Sequence, residues 1–169
     1  YDNFSFKHID ICDLKSIPDC DYVINTAAET HVGNSILNSK DFLKSNIEGV
    51  KNLLELIRNK PTNICKKPIL FHFSTDEVYG DIVKGAHRED DLLKPSNPYS
   101  ASKASGDMLI EAWARTYNIE YVILRPTNNY GIRQHAEKLI PFAIKLYRQL
   151  YLTLLSCNTY KHINIYICN

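Results

Sequence analysis

The chain has 169 residues and sets 20 Lys and Arg against 19 Asp and Glu, for a formal net charge of +1. That balance argues against a strongly cationic nucleic-acid binder and against an acidic tail. Hydrophobic residues make up 44% of the chain and charged residues 23%, enough apolar surface to offset chain entropy, which argues against intrinsic disorder.

The longest stretch without a charge or a His, Gln149 to Tyr160, is well short of the roughly 18 apolar residues that a membrane span requires. The first fifteen residues carry Asp2, Lys7, Asp10, Asp13 and Lys15, which leaves no apolar region for a secretory signal. Residue 1 is Tyr, so the chain is expected to begin part-way through a gene product. Cys12, Cys20, Cys65, Cys157 and Cys168 form an odd, scattered set with no CxxC pair. They read as free thiols in a reducing cytoplasm, with neither a disulfide framework nor a metal site.

In chain order, Phe4 to Ile11 is a short run of alternating character, and Tyr22 to Ala28 is a second, bounded upstream by Pro18 and Asp19; both are expected to be strands. From Asp41, a good N-cap, apolar residues at Phe42, Leu43, Ile47, Val50, Leu53, Leu54 and Ile57 recur at helical spacing. Ile69 to Phe73 is a continuous apolar run of the kind found in strands buried on both faces. A long connection with Gly80, Gly85, Pro95 and Pro98 leads to a second helix, Tyr99 to Tyr117, and then to a strand, Tyr121 to Leu124, stopped by Pro126. A third helix is expected after Pro141.

Strands alternating with helices predict an α/β protein with a mostly parallel sheet. In such sheets ligands bind beyond the carboxyl ends of the strands, so chemistry is sought in the residues just after each strand. Ser74-Thr75-Asp76-Glu77 sets two hydroxyls and two adjacent carboxylates at one such end. Neighbouring carboxylates repel, so one can stay protonated as an acid while the other serves as base; the same residues would also suit a solvated turn capping a helix. Tyr99 and Lys103 stand four apart on one helical face. An ammonium beside a phenol favours phenolate and would lower the Tyr pKa from about 10. Asn128-Asn129-Tyr130-Gly131 offers amides for sugar or phosphate hydrogen bonds, or forms an ordinary turn.

Read in order, AAETHV (27–32), FLKSNIEGVKNLLE (42–55), FHFSTDEVYG (71–80), PYSASKASGD (98–107), RPTNNYG (125–131) and EKLIP (137–141) resemble the nucleotide-sugar 4,6-dehydratases of the extended short-chain dehydrogenase/reductase superfamily. The dTDP-glucose 4,6-dehydratase family is the nearest in pattern, with STDEVYG the most discriminating motif. The resemblance implies a Rossmann-like doubly wound parallel sheet, a bound NAD and a nucleotide-sugar substrate, dTDP-glucose. It implies that Tyr99 takes the proton of the sugar 4-hydroxyl, that Lys103 holds the nicotinamide ribose and lowers the Tyr99 pKa, and that Thr75 orients the hydroxyl. Glu77 matches the base that removes the C5 proton, and Asp76 the acid that protonates the departing 6-hydroxyl. Asp10 and Ile11 would touch the adenine; Thr26, Ala27, Ala28, Glu29, Ser45 and Asn129 would line the cofactor; Thr30, Asn128, Lys138 and Leu139 would contact the substrate. Alternatives in the same superfamily are a UDP-sugar dehydratase or an epimerase. From another class comes a catalytically dead fragment or interaction module using helices near 41–58 and 99–117, which resemble the family's dimer-forming pair.

The six glycines, at 33, 49, 80, 85, 106 and 131, leave the first 32 and last 38 residues with none. The Gly-rich phosphate-binding turn with which the family opens, and the acidic residue beyond it, therefore have no counterpart in this sequence. If Phe4 to Ile11 is the third strand of the order 3-2-1-4-5-6, the sheet has a gap two strands wide and an unpaired edge. Gly33 replaces the family's usual Asp, and Ile132 and Ala136 replace prolines. The expected organisation is a partial NAD-binding Rossmann-type domain over 1–146 and, over 147–169, a divergent tail with neither Gly nor acidic residues. The parent protein is expected to be a cytoplasmic homodimer that contacts neither nucleic acid nor membrane.

Overall fold

The computed structural model describes residues 4–61 and 66–156, with side chains through Tyr151. The chain divides into two compact units, Tyr1–Thr127 and Asn128–Asn169.

The first unit is built on three strands, β1 (Tyr22–Asn25), β2 (Ile69–Phe73) and β3 (Tyr121–Leu124), all parallel and in the order β1-β2-β3. Between β1 and β2 run two short helices, α1 (Val32–Leu37) and α2 (Lys40–Leu43), a π-helical turn (Lys44–Glu48), and α3 (Gly49–Arg58). A 3-10 turn (Asp76–Tyr79) and the long helix α4 (Pro98–Tyr117) join β2 to β3. Parallel neighbours need such crossovers, and right-handed sterics stack the helices on the sheet.

In register, Val23 lies opposite Leu70 and Asn25 opposite His72, while His72 faces Ile123. These residues share the face on which α3 and α4 pack. Its core joins Val50, Leu53, Leu54 and Ile57 of α3 to Leu70, Ile110 and Ile119. The opposite face is open: Tyr22 and Ile24 are 59% and 66% exposed, and Phe73 and Val122 are exposed too. Ile69 to Phe73 is therefore buried on one face rather than two, because both long helices of the unit lie on the same side. Its continuous apolar character overstated its burial.

The structure corrects the first expected strand. Phe4 to Ile11 is not extended in a ladder; it runs as irregular chain into a turn at 11–13, with Phe4 and Phe6 74% and 76% exposed. Alternation makes a strand only where a neighbour accepts its hydrogen bonds, and β1 pairs with β2 alone among the described residues. The second strand ends at Asn25, three residues early, because the Asn25 carboxamide accepts the Ala27 N–H at 3.2 Å and turns the chain. Asp41 is not the cap of its helix; it lies within α2, whose N-cap is Ser39.

Helix α4 begins one residue before its expected start, with Pro98 directly after an Asn97 cap. Asn97 Oδ1 accepts from the Ser100 N–H at 2.9 Å, and Ser100 Oγ accepts from the Asn97 N–H at 3.2 Å, a reciprocal capping box. Two glycines are required by geometry. Gly80 has φ +87°, and a Cβ there would collide with the Lys94 carbonyl. At Gly106 a Cβ would stand 3.0 Å from the Asn46 carbonyl oxygen, so glycine lets α4 lie against the π-helical turn.

The second unit holds α5 (Leu139–Ser156), which starts two residues before Pro141 and keeps that proline in its first turn, where its missing N–H costs nothing. The helix runs across residue 146, the expected boundary of the divergent tail. Cys12 and Cys20 are free thiols; Cys65, Cys157 and Cys168 lie outside the described residues. No helix among the described residues is long and apolar enough to cross a membrane.

Leu54, fully buried in the core, should cost about 2–5 kcal/mol when replaced by Ala. Gly80→Ala should cost about 1–3 kcal/mol through backbone strain. Urea denaturation tracked by circular dichroism checks both; a midpoint unmoved at either site contradicts the packing described.

Candidate active site

The carboxyl end of β2 carries Ser74, Thr75, Asp76 and Glu77, the last two inside the 3-10 turn. Thr75 is its N-cap: Oγ1 accepts the Glu77 N–H at 3.3 Å and donates to Asp76 Oδ1 at 3.3 Å. The Asp76 N–H is held by the Pro126 carbonyl at 3.3 Å, which joins this turn to the end of β3. Asp76 is exposed and Glu77 half-buried; Asn97, the cap of α4, donates to Glu77 Oε2 at 3.3 Å.

Tyr99 enters from the first turn of α4 and is 7% exposed. Its ring meets Phe42 edge-on with centroids 6.4 Å apart, and its N–H donates to Ser35 Oγ at 3.2 Å. Burial raises the phenol above its ordinary value; Glu77 and Asp76 push the same way, and a hydrogen bond with Thr75 offsets part of the rise. Thr75 at the cap and Asp76 and Glu77 in the 3-10 turn thus lie within electrostatic reach of Tyr99 in the first turn of α4. The expected lowering of Tyr99 by Lys103 is not what the structure shows. Lys103 is buried beneath α4 and its ammonium donates to the Phe73 carbonyl at 2.6 Å, while burial pulls its pKa down to about 8.

At the end of β1, Ile11, Asn25, Thr26 and Ala27 line a trough of about 400 Å³. Asp10, next to it, is taken by Lys44: the ammonium stands 2.9 Å from Oδ2, and that hydrogen bond holds Asp10 down at about 2. Ala28 is half-buried and Thr30 exposed. Glu29 is fixed by its backbone: its N–H donates to Asn46 Oδ1 and its carbonyl accepts from Asn46 Nδ2, both at 3.0 Å. Ser45 precedes Asn46 in the π-helical turn and is half-buried. Asn128, Asn129, Lys138 and Leu139 belong to the second unit. The first two are exposed ahead of α5, with the Asn129 carbonyl accepting from Gln134 at 2.9 Å. Leu139 opens α5, and the Lys138 carbonyl accepts the Phe142 N–H.

The motifs missed two buried polar groups. Asn46, 1% exposed, also donates to Ser102 Oγ at 2.8 Å, and Ser102 Oγ donates to the Tyr99 carbonyl at 2.7 Å. One carboxamide thereby ties the 27–30 loop to the helix that carries Tyr99. The available signal was position: Asn46 is four residues from Phe42 and four from Val50, a polar residue on an apolar stripe.

The second group is His72 with Asp107. The Asn25 carboxamide, oriented by accepting from Ala27, donates Nδ2 to His72 Nδ1 at 3.0 Å, so the His72 proton sits on Nε2. Asp107 Oδ2 accepts from Ser74 Oγ and from Arg125 Nε, each at 2.9 Å. His72 Nε2 and Asp107 Oδ1 stand 3.9 Å apart, buried and without hydrogen-bond partners. The spacing is that of an ion pair, but burial, then the charge of Lys103, push the imidazole down to about 3. It is therefore neutral.

The fold and the site together define a Rossmann-like α/β protein with two carboxylates and a buried tyrosine at the carboxyl edge of its sheet. Residues 1–160 match the GDP-mannose 4,6 dehydratase family, and the chain belongs to that family. It is 44% identical over 153 residues to the dTDP-glucose 4,6-dehydratase of Haemophilus influenzae, covering 83% of this chain and 45% of that protein. Among solved structures, a double mutant of DesIV, the dTDP-glucose 4,6-dehydratase of Streptomyces venezuelae with NAD and DAU bound, superposes with a TM-score of 0.74. The identity is 36%, over 84% of this chain and 44% of that one. The UDP-glucuronic acid 4-epimerase of Bacillus cereus, in complex with UDP-glucuronic acid and NAD, gives 0.70 at 32% identity over 76% and 40%. The chain spans less than half the length of each of these relatives.

The buried His72 makes stability depend on pH. The folded imidazole stays neutral to about pH 3, whereas the unfolded one takes its proton near pH 6.5, so between these values the unfolded chain binds more protons and stability rises with pH. Between pH 6.5 and 5, before most carboxylates titrate, unfolding free energy should fall by up to about 1.4 kcal/mol per unit. The slope should vanish in His72→Gln. Urea titrations at stepped pH read it, and a wild-type slope near zero contradicts a neutral His72.

Proposed function

We propose that this chain carries the catalytic residues of a cytoplasmic dTDP-glucose 4,6-dehydratase that works with NAD and forms dTDP-4-keto-6-deoxyglucose. One observation supports it most: two consecutive carboxylates, Asp76 and Glu77, beside a buried Tyr99 that shares a hydrogen bond with Thr75. Moving a hydride at C4 alone needs one acid–base group. Removing water across C5 and C6 as well needs a second base and an acid, which is what the carboxylates add.

The residues of the first unit fit the two ends of a nicotinamide dinucleotide. The trough at the end of β1 presents Thr26 and the small Ala27, with Ile11 on its apolar wall. Tyr99 and the ammonium of Lys103 lie on one face of α4. Asp10 and Ile11 would hold the adenine, Thr26 to Glu29 and Ser45 would line the length of the group, and Tyr99 and Lys103 would hold the nicotinamide ribose. A bound NAD would supply the acceptor for a hydride from C4 and the donor of a hydride to C6.

The rest is done by side chains. Thr75 hydrogen-bonds the sugar 4-hydroxyl and orients it, and Tyr99 takes its proton. The phenol is pushed up by burial and by the two carboxylates, and Thr75, through the hydrogen bond it shares with Tyr99, offsets part of that rise. With C4 a ketone, the C5 proton becomes acidic and Glu77 removes it, positioned by Asn97. Asp76, exposed at the head of the turn, protonates the departing 6-hydroxyl. A homodimer assembled through α3 and α4 belongs to the same proposal, and light scattering should return twice the monomer mass.

With NAD and dTDP-glucose, the protein should form the 4-keto sugar, and Tyr99→Phe should lower kcat about 10²- to 10⁴-fold. Asp76→Asn should slow elimination more than oxidation. Conversion of UDP-glucose with none of dTDP-glucose contradicts the nucleotide; an unchanged rate in Tyr99→Phe contradicts the site.

A further inference from the structure

The buried half of α4 holds a charge that the proposed chemistry uses and one that it does not. Lys103 is 3% exposed, its ammonium donates to a neutral carbonyl, that of Phe73, and it forms none of the ion pairs among the described residues. Four residues on, one turn along the same face, Asp107 is fully buried. Its Oδ2 is saturated by Ser74 and Arg125, and its Oδ1 has no partner. We infer that Asp107 is a positioning residue for Lys103: a carboxylate fixed by Ser74 and Arg125 whose unshared oxygen leaves negative charge under α4, keeping the neighbouring ammonium charged and seated on β2.

The surroundings favour that assignment. From β2, the groups facing Lys103 are the Phe73 carbonyl and the neutral His72, neither of which supplies charge. From its own helix, they are Tyr99 and Asp107. Asp76 and Glu77, in the 3-10 turn, act on Tyr99, and Arg125, after β3, spends its charge on Asp107, Tyr79 and the Glu89 carbonyl. Burial draws Lys103 down to about 8, and Asp107 is the group that opposes it. Burial also pushes the Asp107 carboxyl up, against the bonds from Ser74 and Arg125 that hold it down. A charge-assisted bond to a guanidinium 2.9 Å away requires the anion.

Asp107 takes no part in the steps assigned to Tyr99, Asp76 and Glu77; it acts through Lys103. The inference rests on Lys103 serving the proposed dehydratase as a cation, but its primary test does not need turnover. The protein is labelled with [ε-13C]lysine, the Lys103 signal is assigned by its loss in Lys103→Arg, and its titration is tracked by NMR. Wild type should titrate near 8 and Asp107→Asn about one pH unit lower, and Arg125→Met, which removes the cation that holds Asp107 as an anion, should also lie below wild type. Equal midpoints in wild type and folded Asp107→Asn overturn the inference. If Asp107→Asn does not fold, Arg125→Met decides, and a midpoint unmoved or raised there overturns it.

Activity separates the two readings. A charged Lys103 is lost as pH rises through its pKa, so the alkaline limb of kcat should move to lower pH in Asp107→Asn while KM for dTDP-glucose stays constant. An inactive wild type with the expected NMR shifts contradicts the dehydratase and leaves the positioning role standing. Full activity with equal NMR midpoints does the reverse.

Discussion

Helix α4 is buried largely through polar side chains, and everything at the site depends on their being satisfied. Tyr99, Ser100, Ser102, Lys103, Ala104, Gly106, Asp107 and Ile110 are its buried residues. Only Ala104 and Ile110 add purely aliphatic surface. A polar group buried without a partner costs about 1–3 kcal/mol, so the helix is held in place by answering these groups, Asp107 Oδ1 excepted, with others. Ser35 answers the Tyr99 N–H, Asn46 answers Ser102, the Phe73 carbonyl answers Lys103, and Ser74 and Arg125 answer Asp107. These partners are spread over four separate stretches of the chain. The positions of Tyr99 and Lys103 are therefore set by the hydrogen bonds of the whole unit, and Gly106 supplies the clearance that the approach of α4 requires.

That arrangement explains why α2, a π-helical turn and α3 stand where a single helix is expected. A π turn inserts one residue into the helical ladder and rotates the residues beyond it about the axis. Here it turns Asn46 toward both the Glu29 backbone and Ser102 while Val50, Leu53 and Leu54 still face the core. The apolar stripe of α3 secures the scaffold, and the interruption in that stripe secures the site.

The elements legible in the sequence are those with local signals. β2 and β3 begin and end where their apolar runs do, and α4 starts within one residue of its expected position, at the Pro98 that ends the expected connection. The cluster of Thr75, Asp76, Glu77 and Tyr99 is legible because chemistry gathers at the ends of parallel strands. The features that stay hidden depend on partners distant in sequence. Phe4 to Ile11 alternates like a strand but pairs with nothing among the described residues; Ile69 to Phe73 reads as buried on both faces but is covered on one. The direction of the Tyr99 shift is not legible because spacing puts Lys103 on its face but cannot say that the ammonium turns to a β2 carbonyl. His72 and Asp107 escape notice because each looks ordinary alone. Only the fold brings their two unpartnered atoms within 3.9 Å.

The central claim is that Thr75, Asp76, Glu77 and Tyr99 run an internal oxidation, elimination and reduction on one sugar. The most direct measurement tracks the hydrogen itself: dTDP-glucose carrying deuterium at C4 is given to the protein with NAD, and the product is read by mass spectrometry and NMR. The account predicts a 4-keto-6-deoxy product with the deuterium in its methyl group. Deuterium still at C4 with the configuration there inverted, or no 4-keto product at all, would contradict it.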